Sequence, residues 1–289
     1  MFKRIAAGLL CLAILIALPV IARADTGPKP SVQITFTGDP DGIYYGTLLS
    51  RKDSTGPAFV WDGDPGNAFY KPEEEDYDIW EKFVQYQDAD GFYFLQQFWK
   101  CSENNQLNWV YYPPSEFKIL LYFPESDQFY VSGIYQRYAF DSYFTADLSM
   151  LDSTPIQAHK NYDHTWEMVS LVARIALTIL LELGIALLFG WREKKALTFL
   201  AAVNIVTQIA LNVALNILNY NNGPKVFVSR YVAFELAVFA AEAALYVWLL
   251  PKFSSKLQSK GKSIGYAAVA NGVSFALGMW LAHLIPGIF

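Results

Sequence analysis

The sequence predicts an α+β extracytoplasmic domain followed by an all-α four-helix transmembrane bundle. Composition is the first reason. Of the 289 residues 53% are apolar and 17% charged, but residues 25–165 hold 30 of the 47 Phe, Trp and Tyr and most of the acidic side chains, whereas residues 168–289 are dominated by Leu, Ala, Val and Ile. The second reason is length: four apolar segments in that half are long enough to cross a bilayer, which takes ~20 residues at 1.5 Å each. The third is the run of short alternating segments before them, bounded by Gly, Pro and Asp. The mixed composition excludes a disordered tail, and the net charge of −5 excludes a nucleic-acid binder driven by positive charge.

In chain order, residues 1–24 read as a signal peptide. Lys3 and Arg4 form its basic start, residues 5–21 its apolar stretch, and Ala22-Arg23-Ala24 the small-x-small cleavage site. Cys11 makes no lipoprotein box, because Leu10 stands where a small residue is required. Removal of the signal leaves one thiol, Cys101, so no intrachain disulfide is available and the exported domain must be held by its core. Cys101, after Phe98-Trp99-Lys100, reads as a buried strand residue.

Residues 25–165 form the exported domain. Val32, Ile34 and Phe36 alternate as a strand, Asp39-Pro40-Asp41-Gly42 supplies a turn, and 43–50 returns; 58–61 is a further short run. Pro72 and the carboxylates of Glu73, Glu74, Glu75 and Asp76 open a helix to about Gln87, its buried face made by Ile79, Trp80, Phe83 and Val84. Strands follow at 91–100, 108–112, 117–123, 128–134 and 138–145, two of them joined by Pro124-Glu125-Ser126-Asp127 as a hairpin. The aromatic residues suit a core without disulfides, and equally suit contacts with carbohydrate or peptide.

Residues 166–289 form the transmembrane domain, with spans at 169–189, 196–218, 228–250 and 264–285. Tyr162 and Trp166 mark the outer interface. The first and third loops carry Arg192, Lys194, Lys195, Lys252, Lys256, Lys260 and Lys262, while the second has only Lys225 and Arg230. That asymmetry puts the exported domain outside, the C-terminus outside, and the chain in the bacterial cytoplasmic membrane as a multi-pass protein.

The spans are unusually polar. The first has Arg174 and Glu182; the second has Asn204, Thr207, Gln208, Asn212 and Asn216, with amides four apart on one slowly drifting stripe; the third has Glu235 and Glu242, seven apart and nearly superimposed; the fourth has Asn271 and Ser274. Such groups face lipid only at a cost of roughly 2.5–3.5 kcal/mol for an ionised side chain, so they are expected to converge inside the bundle. Counting depth at 1.5 Å per residue places Glu182, Asn204, Glu242 and Asn271 in one layer roughly 4–6 Å to the cytoplasmic side of the midplane. Gln208 lies between this layer and an outer one containing Arg174, Asn212 and Glu235. The inner set, Glu182, Asn204, Gln208, Glu242 and Asn271, is the candidate binding cluster. Interhelical adhesion, a proton or cation site, a polar substrate site and a partner-facing surface all fit it.

Neither metal nor cofactor is assigned. Asp62-Gly63-Asp64 with Glu73 falls short of a calcium loop, because Gly66 and Asn67 occupy the fifth and sixth places and two prolines interrupt it. His159, Asp163, His164 and Glu167 cluster ahead of the first span, but the two histidines are five apart rather than on one helical face, which speaks against a zinc site, and His283 reads as an interfacial side chain. No H-E-x-x-H, G-x-S-x-G, P-loop or dinucleotide fingerprint is present, and no catalytic residue is assigned.

The combination of Asn204-Ile205-Val206-Thr207-Gln208 with Asn212, then Glu235 and Glu242 in one helix, then Ala270-Asn271-Gly272-Val273-Ser274 resembles a group of bacterial four-helix integral membrane proteins with an exported N-terminal domain. Tyr138-Ala139-Phe140-Asp141-Ser142-Tyr143-Phe144 looks like part of the same group's exported region. The resemblance covers most of the mature chain and implies no chemistry.

The expectation is a non-enzymatic envelope protein whose outer domain binds an envelope component or partner and whose bundle transmits or anchors that state. Its partners are membrane lipid, an envelope protein or a second copy of the chain, with no nucleic acid. The alternatives are movement of a proton, small ion or solute through the Glu/Asn cluster, and an intramembrane hydrolase using paired carboxylates.

Overall fold

A computed structural model describes residues 27–38, 40, 42–151, 155–255 and 259–284, without the side chains of 225–229, 279 and 281–284. The signal peptide, residues 286–289 and the His283 side chain fall outside the described residues. The chain divides into two units, Pro28–Tyr162 and the helical part from Asp163 onward.

The first unit is a β-sandwich with one helix on its outside. One sheet contains β1 (Ser31–Thr37), β5 (Gln106–Trp109), β9 (Asp141–Asp147) and β10 (Gln157–Lys160) in the order β10-β9-β1-β5, with β1 and β9 parallel and the other pairs antiparallel. The other contains β2 (Tyr45–Ser50), β3 (Tyr93–Phe94), β4 (Trp99–Lys100), β6 (Glu116–Phe123), β7 (Gln128–Val131) and β8 (Tyr135–Gln136). There β2 and β6 lie side by side, β3 and β4 pair with β2, and β7 and β8 with β6, all antiparallel. Alternation decides the faces. Val32, Ile34 and Phe36 of β1 and Phe144 and Ala146 of β9 meet Phe117, Ile119, Leu121 and Phe123 of β6 between the sheets.

β6 is buried on both faces, which is why it reads as a continuous apolar run rather than an alternating one. Its other face, Leu120 and Tyr122, packs against Trp80 and Phe83 of α1 (Tyr77–Gln85). Phe83 sits among the rings of Phe94, Phe98, Tyr122 and Phe129, with centroids 5.2–6.1 Å apart. Lys118 lies on this same face, buried, with Nζ 2.8 Å from Asp88 and 2.6 Å from Asp90.

Several expected strands differ in detail. The run 91–100 is cut into β3 and β4 by Gln96, a fully buried residue at φ 61°. Its side chain accepts from the Phe69 N–H and donates to the Phe59 carbonyl, so it fastens the loop through 58–61, which is not a strand. The run 128–134 breaks after Val131, where the Ser132 hydroxyl accepts the Ile119 N–H. Helix α1 begins at Tyr77, after the acidic run. The Pro124–Asp127 turn joins β6 to β7, with the Asp127 N–H bonded to the Pro124 carbonyl and Asp127 at φ 51°. Cys101 is fully buried but opens a 3-10 turn (Cys101–Glu103) instead of lying in a strand, and burial pushes its thiol well above the ordinary value. The turn follows from Tyr44, whose carbonyl accepts from the N–H groups of both Cys101 and Ser102.

The second unit contains α2 (Thr165–Leu188), α3 (Lys194–Asn222), α4 (Pro224–Trp248) and α5 (Lys260–Leu284). Three stretches in it, Thr165–Leu188, Lys194–Asn222 and Arg230–Lys252, are long and apolar enough to cross a membrane, consistent with a multi-pass membrane protein. Each helix packs against the next and α2 closes the ring on α5. The cross-contacts run antiparallel. Thr207 and Asn204 of α3 meet Glu242 and Tyr246 of α4, and Arg174 and Glu182 of α2 meet Gly278 and Ser274 of α5. At one end Glu193 accepts from the Ser255 N–H and hydroxyl at 2.8 and 2.6 Å, tying two loops together. Beneath them Trp191, Tyr246 and Tyr266 form an aromatic floor.

Polarity in this unit is inverted relative to a water-soluble bundle. Leu180 is 69% exposed, Val206 66% and Leu236 61%, while Glu182 and Glu242 are fully buried. On α2 the buried line is Ser170, Arg174, Thr178, Glu182 and Ala186, each four residues on. Aliphatic side chains outside and hydrogen-bonding ones inside suit a hydrocarbon solvent.

Candidate intramembrane polar site

Each helix delivers its polar residues by three-, four- or seven-residue spacing, and the bundle's ring turns those faces together. Glu242 is the best-served member. The Thr207 hydroxyl donates to its Oε1 at 2.6 Å and Asn271 Nδ2 donates to Oε2 at 2.7 Å, so α3, α4 and α5 are joined through one carboxyl group. Tyr246, one turn further along α4, accepts from Asn204 Nδ2 at 3.2 Å. Glu182 on α2 is served differently. Its Oε1 accepts from the Ser274 hydroxyl at 3.2 Å, and its backbone carbonyl accepts from the Tyr266 hydroxyl at 3.2 Å.

Of Glu182, Asn204, Glu242 and Asn271, expected in one layer, Glu242 and Asn271 bond directly, Asn204 reaches α4 through Tyr246, and Glu182 reaches α5 through Ser274. Gln208 stands apart from them and lines a cavity of about 10 Å³, room for about one water molecule, with Arg174, Thr178, Tyr231, Glu235, Ser274 and Gly278. Arg174 and Glu235 thus face the same space, and Arg174 Nη2 donates to the Tyr231 hydroxyl at 3.3 Å. Asn212 is turned onto its own helix, bonding the Gln208 carbonyl at 2.8 Å and the Gln208 side chain at 3.4 Å. The same backward bond, from an amide to the carbonyl four residues earlier, recurs at Asn204, Asn221, Asn222 and Asn271. It satisfies a donor without leaving the helix, which matters where water is scarce.

Sequence reasoning missed the tyrosine hydroxyls and the part of Thr207. A signal was present: Tyr231, Glu235, Glu242 and Tyr246 are spaced four, seven and four along α4 and so share a face. Ser274 is the joint between the two layers, bonded to Glu182 and lining the cavity.

The other expected ligand sets are used locally. Asp62 accepts from the Asp64 N–H and from Asn67 Nδ2, and Asp64 accepts from the Gly66 N–H, so both carboxylates shape the turn. His159 lies in β10, and His164 Nδ1 stands 3.1 Å from Glu167. Among the described residues no group of three or more His, Cys, Asp or Glu could hold a metal ion. Comparison of the chain with protein-family models, with curated proteins and with solved structures found no match.

Proposed function

We propose that the chain is a non-enzymatic, multi-pass protein of the bacterial cytoplasmic membrane, with its sandwich outside the cytoplasm binding an envelope component or partner and its polar bundle anchoring or transmitting that state. The observation that carries the binding role is a groove of about 700 Å³ on the sandwich, lined by Ser50, Arg51, Lys52, Arg137, Pro113 and Pro114 among others. Arg51 is already engaged, 3.5 Å from Glu116 and stacked at 4.6 Å from the Phe92 ring, and Asp53 accepts the Val60 N–H. Lys52 and Arg137 give the remaining charge a positive sign, which suits an anionic stretch of an envelope polymer or protein. The fourth span, α5, and the inside position of the two basic loops belong to this reading, supported by the seven-to-two distribution of basic residues.

A photo-crosslinking side chain placed at Lys52 in growing cells tests it. A discrete crosslinked product that Arg137→Glu abolishes is the expected result. If no product forms, or the product is indifferent to Arg137→Glu, the groove does not bind and this reading fails.

A further inference from the structure

We propose that the end of the sandwich holding the groove binds the phosphate-bearing headgroups of anionic phospholipids. This rests on the groove being a binding site and names its ligand. The strand registers decide which residues share that end. β1 begins at Ser31 opposite Asp141, the first residue of β9, and Trp109, the last residue of β5, pairs with Val32, so Val110 and Tyr111 run on past the start of β1. In the second sheet β6 begins at Glu116 opposite Gln136, and the Arg137 N–H donates to the Ser115 carbonyl. β2 runs against β6 with Leu49 opposite Lys118, which brings Arg51 and Lys52 to the start of β6. The Tyr138 N–H donates to the Ser142 hydroxyl, so β6 and β9 start at one end.

Charge is divided along the sandwich. The groove end carries Lys29, Arg51, Lys52, Arg137 and Lys160. Lys160, closing β10, holds its ammonium 4.7 Å from the Tyr138 ring, an arrangement that orients the charge without cancelling it. The acids nearby are engaged: Glu116 with Arg51, Asp53 with the Val60 N–H, Asp141 with the Ser31 hydroxyl, and Asp88 and Asp90 with Lys118. At the opposite end, where β1 stops at Thr37, β6 at Phe123 and β9 at Asp147, the balance is acidic, with Glu103, Glu125, Asp127 and Asp147 against Lys82 and Lys100.

Apolar side chains stand beside the basic ones. Val110 is 64% exposed and Tyr111 40%. The turn that presents them is strained: Tyr112 lies at φ 50°, unfavourable for an aromatic residue, and its ring packs so closely on Gly56 that a Cβ there would stand 2.8 Å from the Tyr112 Cβ. An aliphatic and an aromatic residue flanked by Lys and Arg suit the headgroup level of a bilayer. The chain also leaves the sandwich here. The Asn161 N–H donates to the Tyr143 carbonyl, the Tyr162 ring lies 5.7 Å from that of Tyr143, and α2, long and apolar enough to cross a membrane, begins at Thr165. A surface tied to a span by so short a segment meets headgroups at high effective concentration, an advantage that a diffusing polymer or protein lacks.

A nitroxide at Val110 of the full chain tests this, in vesicles of phosphatidylcholine alone or mixed equally with phosphatidylglycerol, at low salt. Relaxation by a neutral nickel chelate should fall severalfold when phosphatidylglycerol is present. A label at Met150, also exposed but at the opposite end, where the Leu148 N–H bonds the Thr37 carbonyl, should not respond. High salt should restore access of the chelate at Val110, as should Lys52→Glu combined with Lys160→Glu, both at exposed positions. The salt arm needs no altered charge and so stands even if the double variant fails to fold. Equal access in both lipids, an equal fall at Met150, or a fall indifferent to salt would overturn the proposal. The mass of the Lys52 photo-crosslinked product separates it from the groove reading. A phospholipid adduct supports both, a protein or polymer adduct keeps the groove but overturns the lipid, and no adduct overturns both.

Discussion

Replacing Lys118 by Met is expected to destabilise the sandwich by about 3–5 kcal/mol, the cost of stranding a buried charge. The ammonium is inserted on the helix-facing side of β6, with its side chain 5% exposed, against Asp88, whose side chain is 2% exposed. Burial alone would push Asp88 up, but hydrogen bonds from Lys118 and from the N–H groups of Asp90 and Phe92 outweigh it and leave its carboxyl below the ordinary value. Burial likewise acts to lower Lys118, and the bonds to Asp88 and Asp90 reverse it, leaving it raised. Met fills the volume but leaves Asp88 without its counter-charge. In the full chain, amide exchange along β6 should accelerate on the order of 10²- to 10⁴-fold, and adding Asp88→Asn should recover much of the loss because no uncompensated charge then remains. The pH signs follow. The Asp88 contribution is present above its unfolded value of about 3.9 and is lost as pH falls through its lower folded value. The Lys118 contribution is present below about 10.4 and is lost as pH rises through its higher folded value.

The second large effect is expected at Glu242. Glu242→Ala removes the acceptor for Thr207 and Asn271 together and leaves a cavity where three helices meet, a loss of about 2–4 kcal/mol when unfolding in micelles is followed by helicity. Glu242→Gln should cost less, about 1 kcal/mol, because the Thr207 hydroxyl can turn toward the Val203 or Asn204 carbonyl and accept the new amide hydrogen. An alanine variant as stable as wild type would mean that the carboxyl group is not what joins α3, α4 and α5.

The parts of the structure that were legible in the sequence are those set by local periodicity. Long apolar runs announced α2 and α3, the alternation of Val32, Ile34 and Phe36 announced β1, and the 117–123 run announced a strand. The spacing of Glu242 and Asn271 announced that those two residues would meet. What periodicity does not encode is the direction a side chain takes when two satisfactory partners compete. Asn212 shares the stripe of Asn204, yet bonds back to Gln208 because its own helix offers a carbonyl closer than any partner across the bundle. Gln96 was invisible for a related reason. Its left-handed backbone is held by contacts with Phe59 and Phe69, 37 and 27 residues away. The edge strand β10 is only four residues long with one buried side chain, too short for alternation to register.

The central claim is that aliphatic faces of the helices lie in lipid while polar side chains are enclosed. Nitroxide labels at Leu180, Ile209 and Leu236, introduced singly into the full chain in lipid vesicles, measure this directly through relaxation by oxygen and by a water-soluble nickel chelate. The account predicts strong relaxation by oxygen and little by the chelate at all three positions, because each side chain is exposed yet surrounded by acyl chains. Strong relaxation by the chelate at these positions would place the helices in water and contradict it.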